Sequence, residues 1–222
     1  MMMRNSRKFG AAGLAMALGF TMMADGMSAG THAAPPAAKA AAVPLTGAWS
    51  VDAVHTNVGF AIRHMGISSV RGRFSDIAGT IVANAAHPEK SSVNFTIQTK
   101  SINTDMPMRD DHVRSAAFLD VAKYPQITFQ STRVTKTKGG GYLVAGNLTM
   151  HGVTKPIVLP FQISGPIKDP MGSARFGLET QTHLDRHSYG VGSTSLFSGD
   201  SAIGSDVDVT ISLEAVPAKP GA

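Results

Sequence analysis

A chain of 222 residues without a cysteine can form no disulfide, no thiolate metal site and no iron–sulfur cluster. It is 43% hydrophobic, enough for one domain with a sizeable core, but only 6% aromatic, too little for a surface that stacks single-stranded nucleic acid. Of the formal charge of +5, two belong to the N-terminus, where Arg4, Arg7 and Lys8 outweigh Asp25; the other lysines and arginines are scattered, so no nucleic-acid partner is expected.

Residues 1–34 read as a secretory signal peptide. A basic region precedes an apolar run over 9–23 and small residues over 28–34. The run is shorter than the ~20 residues of a membrane-spanning helix. Cleavage near Ala33 or Ala34 and release into the periplasm are therefore expected. Residues 35–45 form an Ala/Pro linker with too little apolar bulk to pack, expected to be disordered. A domain over 46–217 follows, with a short disordered tail over 218–222.

Within the domain, alternation with period two dominates. Trp49, Val51, Ala53 and His55 share one face of the first segment; Val58, Phe60, Ile62 and His64 share one face of the next. Gly72 and Gly79 are expected to mark bulges or bends. Val93, Phe95 and Ile97 point inward from the strand that follows. Gln126 to Thr137 and Tyr142 to Met150 form a hairpin around Gly139-Gly140-Gly141. Ile157, Leu159, Phe161 and Ile163 line the next strand, 175–189 is a strand with a polar end, and Val207, Val209, Ile211 and Leu213 alternate in the last. Roughly eight strands at short spacing predict an all-β antiparallel barrel or sandwich.

One stretch breaks the pattern. Over about residues 106–118 the spacing turns helical, with Val113, Ala116 and Ala117 as its apolar stripe. Pro107 suits a first turn because it has no N–H to leave unpaired. Asp105 is the expected N-cap, and Asp110 and Asp111 lie where the helix dipole favours negative charge. Tyr124-Pro125 ends the excursion.

The candidates for chemistry are few. The histidines at 55, 64, 112, 151, 183 and 187 have no recognised metal-ligand spacing and read as strand-end hydrogen-bonding groups, so no metal is expected. Arg109, Asp111 and His112 could serve proton transfer, which leaves a hydrolase or isomerase as an alternative, but no motif sets a nucleophile beside them. Arg109, His112 and His64 or His151 could instead ring the opening of a barrel whose apolar faces take a ligand's tail. Composition by itself favours a filled interior over a cavity.

Four stretches together resemble a known family: WSVDAVHTNVGFAIRHMGISSVRGRF, SINTDMPMRDDHVRSAAFLDVAKYPQITFQST, GNLTMHGVTKPI and LDRHSYGVG. Asp52, His55, Phe60, His64, Arg109, Asp110, His112, His151, Gly152, Arg186 and Gly190 fall on its pattern. Val113 stands where leucine is usual, and the stretch from 190 to 204 departs from the pattern. The chain resembles the YceI family, periplasmic polyisoprenoid-binding proteins with a lipocalin-like barrel. The resemblance implies an antiparallel eight-stranded lipocalin-like barrel with a long apolar pocket, reversing the filled interior that composition favours. It implies a long-chain isoprenoid, isoprenoid quinone or similar fatty amphiphile as ligand, no further cofactor and no catalysis. The apolar lining expected is Trp49, Phe60, Ile62, Phe74, Phe95, Phe118, Phe129 and Phe161; the polar mouth expected is His55, His64, Arg109, His112 and His151. A homodimer, a transient membrane-protein partner and a role as stress-response accessory to a membrane cytochrome are compatible with the resemblance.

Overall fold

Alternation of apolar with polar residues lets a strand bury one face and wet the other, and here it produces ten strands and one helix. The computed structural model describes residues 43–192 and 202–219. The strands are β1 (Thr46–His64), β2 (Ser68–Phe74), β3 (Ile77–Asn84), β4 (Ser92–Gln98), β5 (Ile102–Asn103), β6 (Gln126–Lys136), β7 (Tyr142–Met150), β8 (Val153–Lys168), β9 (Ala174–Asp185) and β10 (Ile203–Pro217). The helix α1 spans Pro107–Arg114, and short 3-10 turns sit at Pro88–Lys90, Thr99–Ser101 and Arg186–Tyr189. Expectations for residues 1–42, 193–201 and 220–222 lie outside the described residues. Leu45, assigned to the linker by sequence, packs against the core and accepts a hydrogen bond from Ala85 N–H (3.1 Å). At the other end, Ala218 N–H donates to Ala48 O (3.0 Å).

Eight strands close an antiparallel barrel in the order β1-β3-β4-β6-β7-β8-β9-β10, with β10 pairing back to β1. The other two strands follow from the length of β1. Its first half pairs with β3 (Trp49 opposite Ile81) and its second half with β2 (Phe60 opposite Gly72). β5 then pairs with β2, through Phe74 and Ile102. Residues 104–125 come between β5 and β6, and α1 lies in this insertion.

The expected bulges at Gly72 and Gly79 are not seen. Both residues pair in regular register. What they supply is room. A Cβ on Gly72 would run into the Phe60 ring, one on Gly79 into Phe95 and Val51, and one on Gly146 into Phe129. Large rings therefore lie flat over glycines of the neighbouring strand. The irregularity falls instead in β1, where pairing with β10 slips between Asp52 and Asn57. That slip turns Ala53 outward, against expectation.

The helix also differs from its prediction. Pro107 does occupy the first turn, but the N-cap is Met106, without a side-chain cap. Asp105 adopts φ 61° and hydrogen-bonds instead through its N–H to Asn103 Oδ1 (2.7 Å). The carboxylate that secures this helix comes from inside it, at Asp110.

Candidate functional site

The barrel is hollow at one end. A cavity of about 650 Å³ opens there, within the range of roughly 300–1,000 Å³ typical of ligand pockets. Its floor is made by Phe95 and Ile97 of β4, Ile127 and Phe129 of β6, and Leu159 of β8. Val207, Val209 and Ile211 of β10 form one wall. Phe60 and Phe74 of the β1–β2 ribbon form another, their ring centroids 5.9 Å apart. Val113, Phe118 and Leu119 close it from the inserted segment. Among the described residues, the polar side chains of the lining are Arg63, His64, Ser68, Thr104, Arg109, His112, Thr182 and Arg186, and none is a carboxylate.

Three residues seat α1 against this opening. Buried Asp110 accepts hydrogen bonds from Thr104 N–H (2.8 Å) and Thr104 Oγ1 (2.6 Å). Arg109 donates from Nε to Thr104 Oγ1 (2.8 Å) and from Nη2 to Thr104 O (2.7 Å). Burial alone would raise the Asp110 carboxyl, but the Thr104 bonds and the nearby Arg114 and Arg109 outweigh it and hold it below the usual carboxylate range. Arg114 fastens the other end of the helix, donating to Ile102 O (2.7 Å) and Lys100 O (3.0 Å). His112 meets Phe118 edge-on, with centroids 5.1 Å apart.

Across the cavity, Arg186 is buried with its guanidinium spread over three backbone carbonyls: Gly204 (2.9 Å), Val191 (2.9 Å) and Ile203 (3.1 Å). It also lies 6.0 Å from the centre of the Phe118 ring, within cation–π range. Each hydrogen bond to a charged donor strengthens in such a dry setting.

The structure brings together Phe60, Ile62, Phe74, Phe95, Phe118 and Phe129 of the expected apolar lining, with His64, Arg109 and His112 of the expected mouth. Four expected residues lie elsewhere. Trp49 and Phe161 point inward but at the opposite, filled end, where Trp49 packs edge-on against Phe176 at 4.8 Å. His55 is exposed and paired with Asp52 (2.9 Å). His151 sits in the tight β7–β8 turn, where it and Gly152 both take positive φ, and its ring lies 4.4 Å from Tyr124. Its buried Nε2 meets no hydrogen-bond partner among the described residues. Conversely, sequence reasoning left out Arg63, Thr104, Thr182 and Arg186. Arg63, Thr104 and Arg186 lie in matched stretches, but only Arg186 was named as falling on the family's pattern.

Of the three groups of the acid–base alternative, Arg109 and His112 line the cavity and Asp111 does not. Asp111 is exposed, pairs with Arg114 (3.1 Å) and is absent from the lining, while Arg109 is engaged by Thr104. A second ionic cluster lies outside the cavity. Donor atoms of Asp52, His55 and Glu214 fall within 4.8 Å of one another. Arg175 already bridges it, donating to Asp52 (2.8 Å), Glu214 (2.7 Å) and Asp169 (2.8 Å). The His55 and Arg175 bonds draw the Asp52 carboxyl down to about 2. A guanidinium between the carboxylates is a competitor for any cation there.

Comparison with known proteins matches this geometry. The model of the YceI-like domain covers residues 49–215. A UPF0312 protein of Pseudomonas savastanoi pv. phaseolicola is 40% identical over 165 residues, which is 74% of this chain and 83% of that protein. The YCEI protein of Campylobacter jejuni superposes with a TM-score of 0.61 at 30% identity, over 71% of this chain and 91% of that one. A polyisoprenoid binding domain from Saccharophagus degradans superposes with a TM-score of 0.59 at 18% identity, over 77% and 98%. The chain, barrel, inserted helix and all, belongs to the YceI-like domain family.

Proposed function

We propose that this protein is a periplasmic carrier that holds a long-chain isoprenoid lipid or isoprenoid quinone in the hollow end of its barrel, without chemistry on it. The observation that carries the reading is the cavity itself: about 650 Å³, walled by phenylalanine and branched aliphatic side chains, with its polar groups few. A cavity with such a lining favours a hydrocarbon chain over a polar metabolite. At about 25 cal/mol per Å² of apolar surface, enclosing a few hundred Å² supplies several kcal/mol before ordering costs. Burial of that kind is non-directional, so it tolerates different chain lengths, while Arg109, His64 and His112 select the head group. The polyisoprenoid-binding domain that shares the fold supports the ligand class, and the signal-like N-terminus supports the compartment. The exposure of Asp111, paired with Arg114 away from the cavity lining, and the engagement of Arg109 by Thr104 support binding over turnover.

Native mass spectrometry of the protein from a bacterial periplasmic extract, followed by organic extraction, tests the reading. One polyprenyl or quinone molecule per chain or per dimer is the expected result. Protein that arrives empty, and that takes up no isoprenoid from detergent micelles, overturns it.

A further inference from the structure

The opening of the cavity has an apolar lip. The β1–β2 turn carries Met65, 60% exposed, and Ile67, 82% exposed. This turn lies between His64 and Ser68, both of which line the cavity. The lead into α1 carries Met106, 46% exposed, and Met108, 76% exposed. It lies between Thr104 and Arg109, which also line the cavity. Single exposed apolar side chains are ordinary. Four of them on two segments that border one opening are a patch with a purpose.

The charge around this lip has one sign on its ribbon side. Residues 56–75 contain Arg63, Arg71 and Arg73 and no aspartate or glutamate. Arg71 and Arg73 alternate with the inward Val70, Gly72 and Phe74, so the pleat turns them to the outside of the β1–β2 ribbon. Arg73 pairs weakly with exposed Asp105 (3.4 Å), and Arg63 stands at the rim. Arg71 has no carboxylate partner among the described residues. The β1–β2 turn, tipped with methionine and isoleucine and flanked by arginine, matches the chemistry of a bilayer interface: apolar tips for the acyl region, guanidinium groups for phosphate. On the helix side the exposed acids Asp105 and Asp111 beside Met106 and Met108 are paired with Arg73 and Arg114.

We propose that this lip docks the protein on an anionic phospholipid bilayer, with Met65, Ile67, Met106 and Met108 entering the interface and Arg71 facing lipid phosphates. The cavity then opens onto the phase in which its ligand dissolves. The inference rests on the carrier reading for the nature of the ligand, whereas the docking surface is measured separately from uptake.

The test is flotation with vesicles of phosphatidylethanolamine and phosphatidylglycerol at three to one, and with vesicles of phosphatidylcholine. The proteins compared are wild type, the double variant I67E/M108E and R71Q, which share the same N-terminus so that its contribution cancels. Uptake of an isoprenoid quinone from detergent micelles is measured on each. The wild type is expected to float with the anionic vesicles and I67E/M108E to partition at least tenfold more weakly, with unchanged uptake from micelles. R71Q is expected to weaken severalfold on anionic vesicles only, and high salt to remove that difference. Equal flotation of I67E/M108E and wild type overturns the proposal. A wild type that takes up quinone from micelles but does not float overturns the docking and leaves the carrier reading standing. A wild type that floats but takes up no isoprenoid from micelles overturns the carrier reading, not the docking. Self-association lost in I67E/M108E, with flotation by neither protein, assigns the lip to a second copy of the chain and overturns the proposal.

Discussion

The two ends of the barrel are built from the same strands and do opposite things with them. Past the middle of β1, toward Trp49, inward side chains meet across the barrel, and a pocket there among Ile81, Val144, Phe161 and Phe176 holds only about 50 Å³, room for little more than a water molecule. Past the middle in the other direction, toward His64, inward side chains of the same kinds stand back around about 650 Å³. Both ends have phenylalanines, so residue type does not make the difference. The hollow end is widened by the β2–β5 ribbon and the α1 insertion, which replace a direct continuation of the strands. Its Phe60, Phe95 and Phe129 rings also lie over glycines, against the wall and away from the axis. One end holds the fold together so that the other can stay open.

The largest effect expected is at the filled end. Trp49→Ala should cost about 3–5 kcal/mol in denaturant unfolding, since Phe176 and its neighbours lose their central partner. A cost near that of a surface substitution would erase the distinction between the ends. Next comes the seat of α1. Thr104→Val removes the hydroxyl that donates to Asp110 and accepts from Arg109, leaving a buried carboxylate half satisfied. We expect a loss of about 1–3 kcal/mol and faster amide exchange over residues 104–114, with β7 to β9 unchanged. Exchange that rises evenly over the barrel would show that the helix and barrel melt as one.

Acid should act through the ionic cluster at Asp52. Its carboxyl is drawn below the ordinary 3.8 to about 2, so the unfolded chain binds the proton more tightly than the folded one. The contribution is complete above about pH 4 and is lost as the pH falls toward 2. It amounts to at most about 2 kcal/mol, because His55 is exposed and partly screened. Asp52→Asn should flatten this stretch of the stability profile, and an unchanged slope would move the cause elsewhere. The smallest stability change is expected where a side chain is added to the hollow end. Val209→Phe should shift stability by less than about 1 kcal/mol, since the ring enters empty space instead of overpacking a core. It should lower isoprenoid uptake about tenfold. Unchanged uptake would put the ligand outside this cavity.

The same contrast shows what could be read from sequence. Alternation identified Trp49, Phe60, Phe95, Phe129 and Phe161 as inward, and all five are inward. It could not say how high along the barrel each one sits, because height is set by register across many strands and not by any local period. Trp49 and Phe161 were therefore grouped with residues lining a cavity they do not reach. Ala53 was misplaced for a related reason: one slip in the β1–β10 ladder inverts the faces around it. Asp105 looked like the N-cap because local rules favour an acid just ahead of Pro107. Asp110 fills that anchoring role instead, through contacts with Thr104 that only the folded turn creates. Arg186 was visible only as part of a pattern, since a lone arginine carries no sign of the three carbonyls it gathers.

Those three carbonyls have a consequence for how the protein can change over time. Arg186 holds Val191 on one side and Ile203 and Gly204 on the other, so one side chain fixes both ends of the intervening chain. A substitution at Arg186 is therefore felt twice, where the chain leaves β9 and where it enters β10, which makes this position costly to change as the protein evolves.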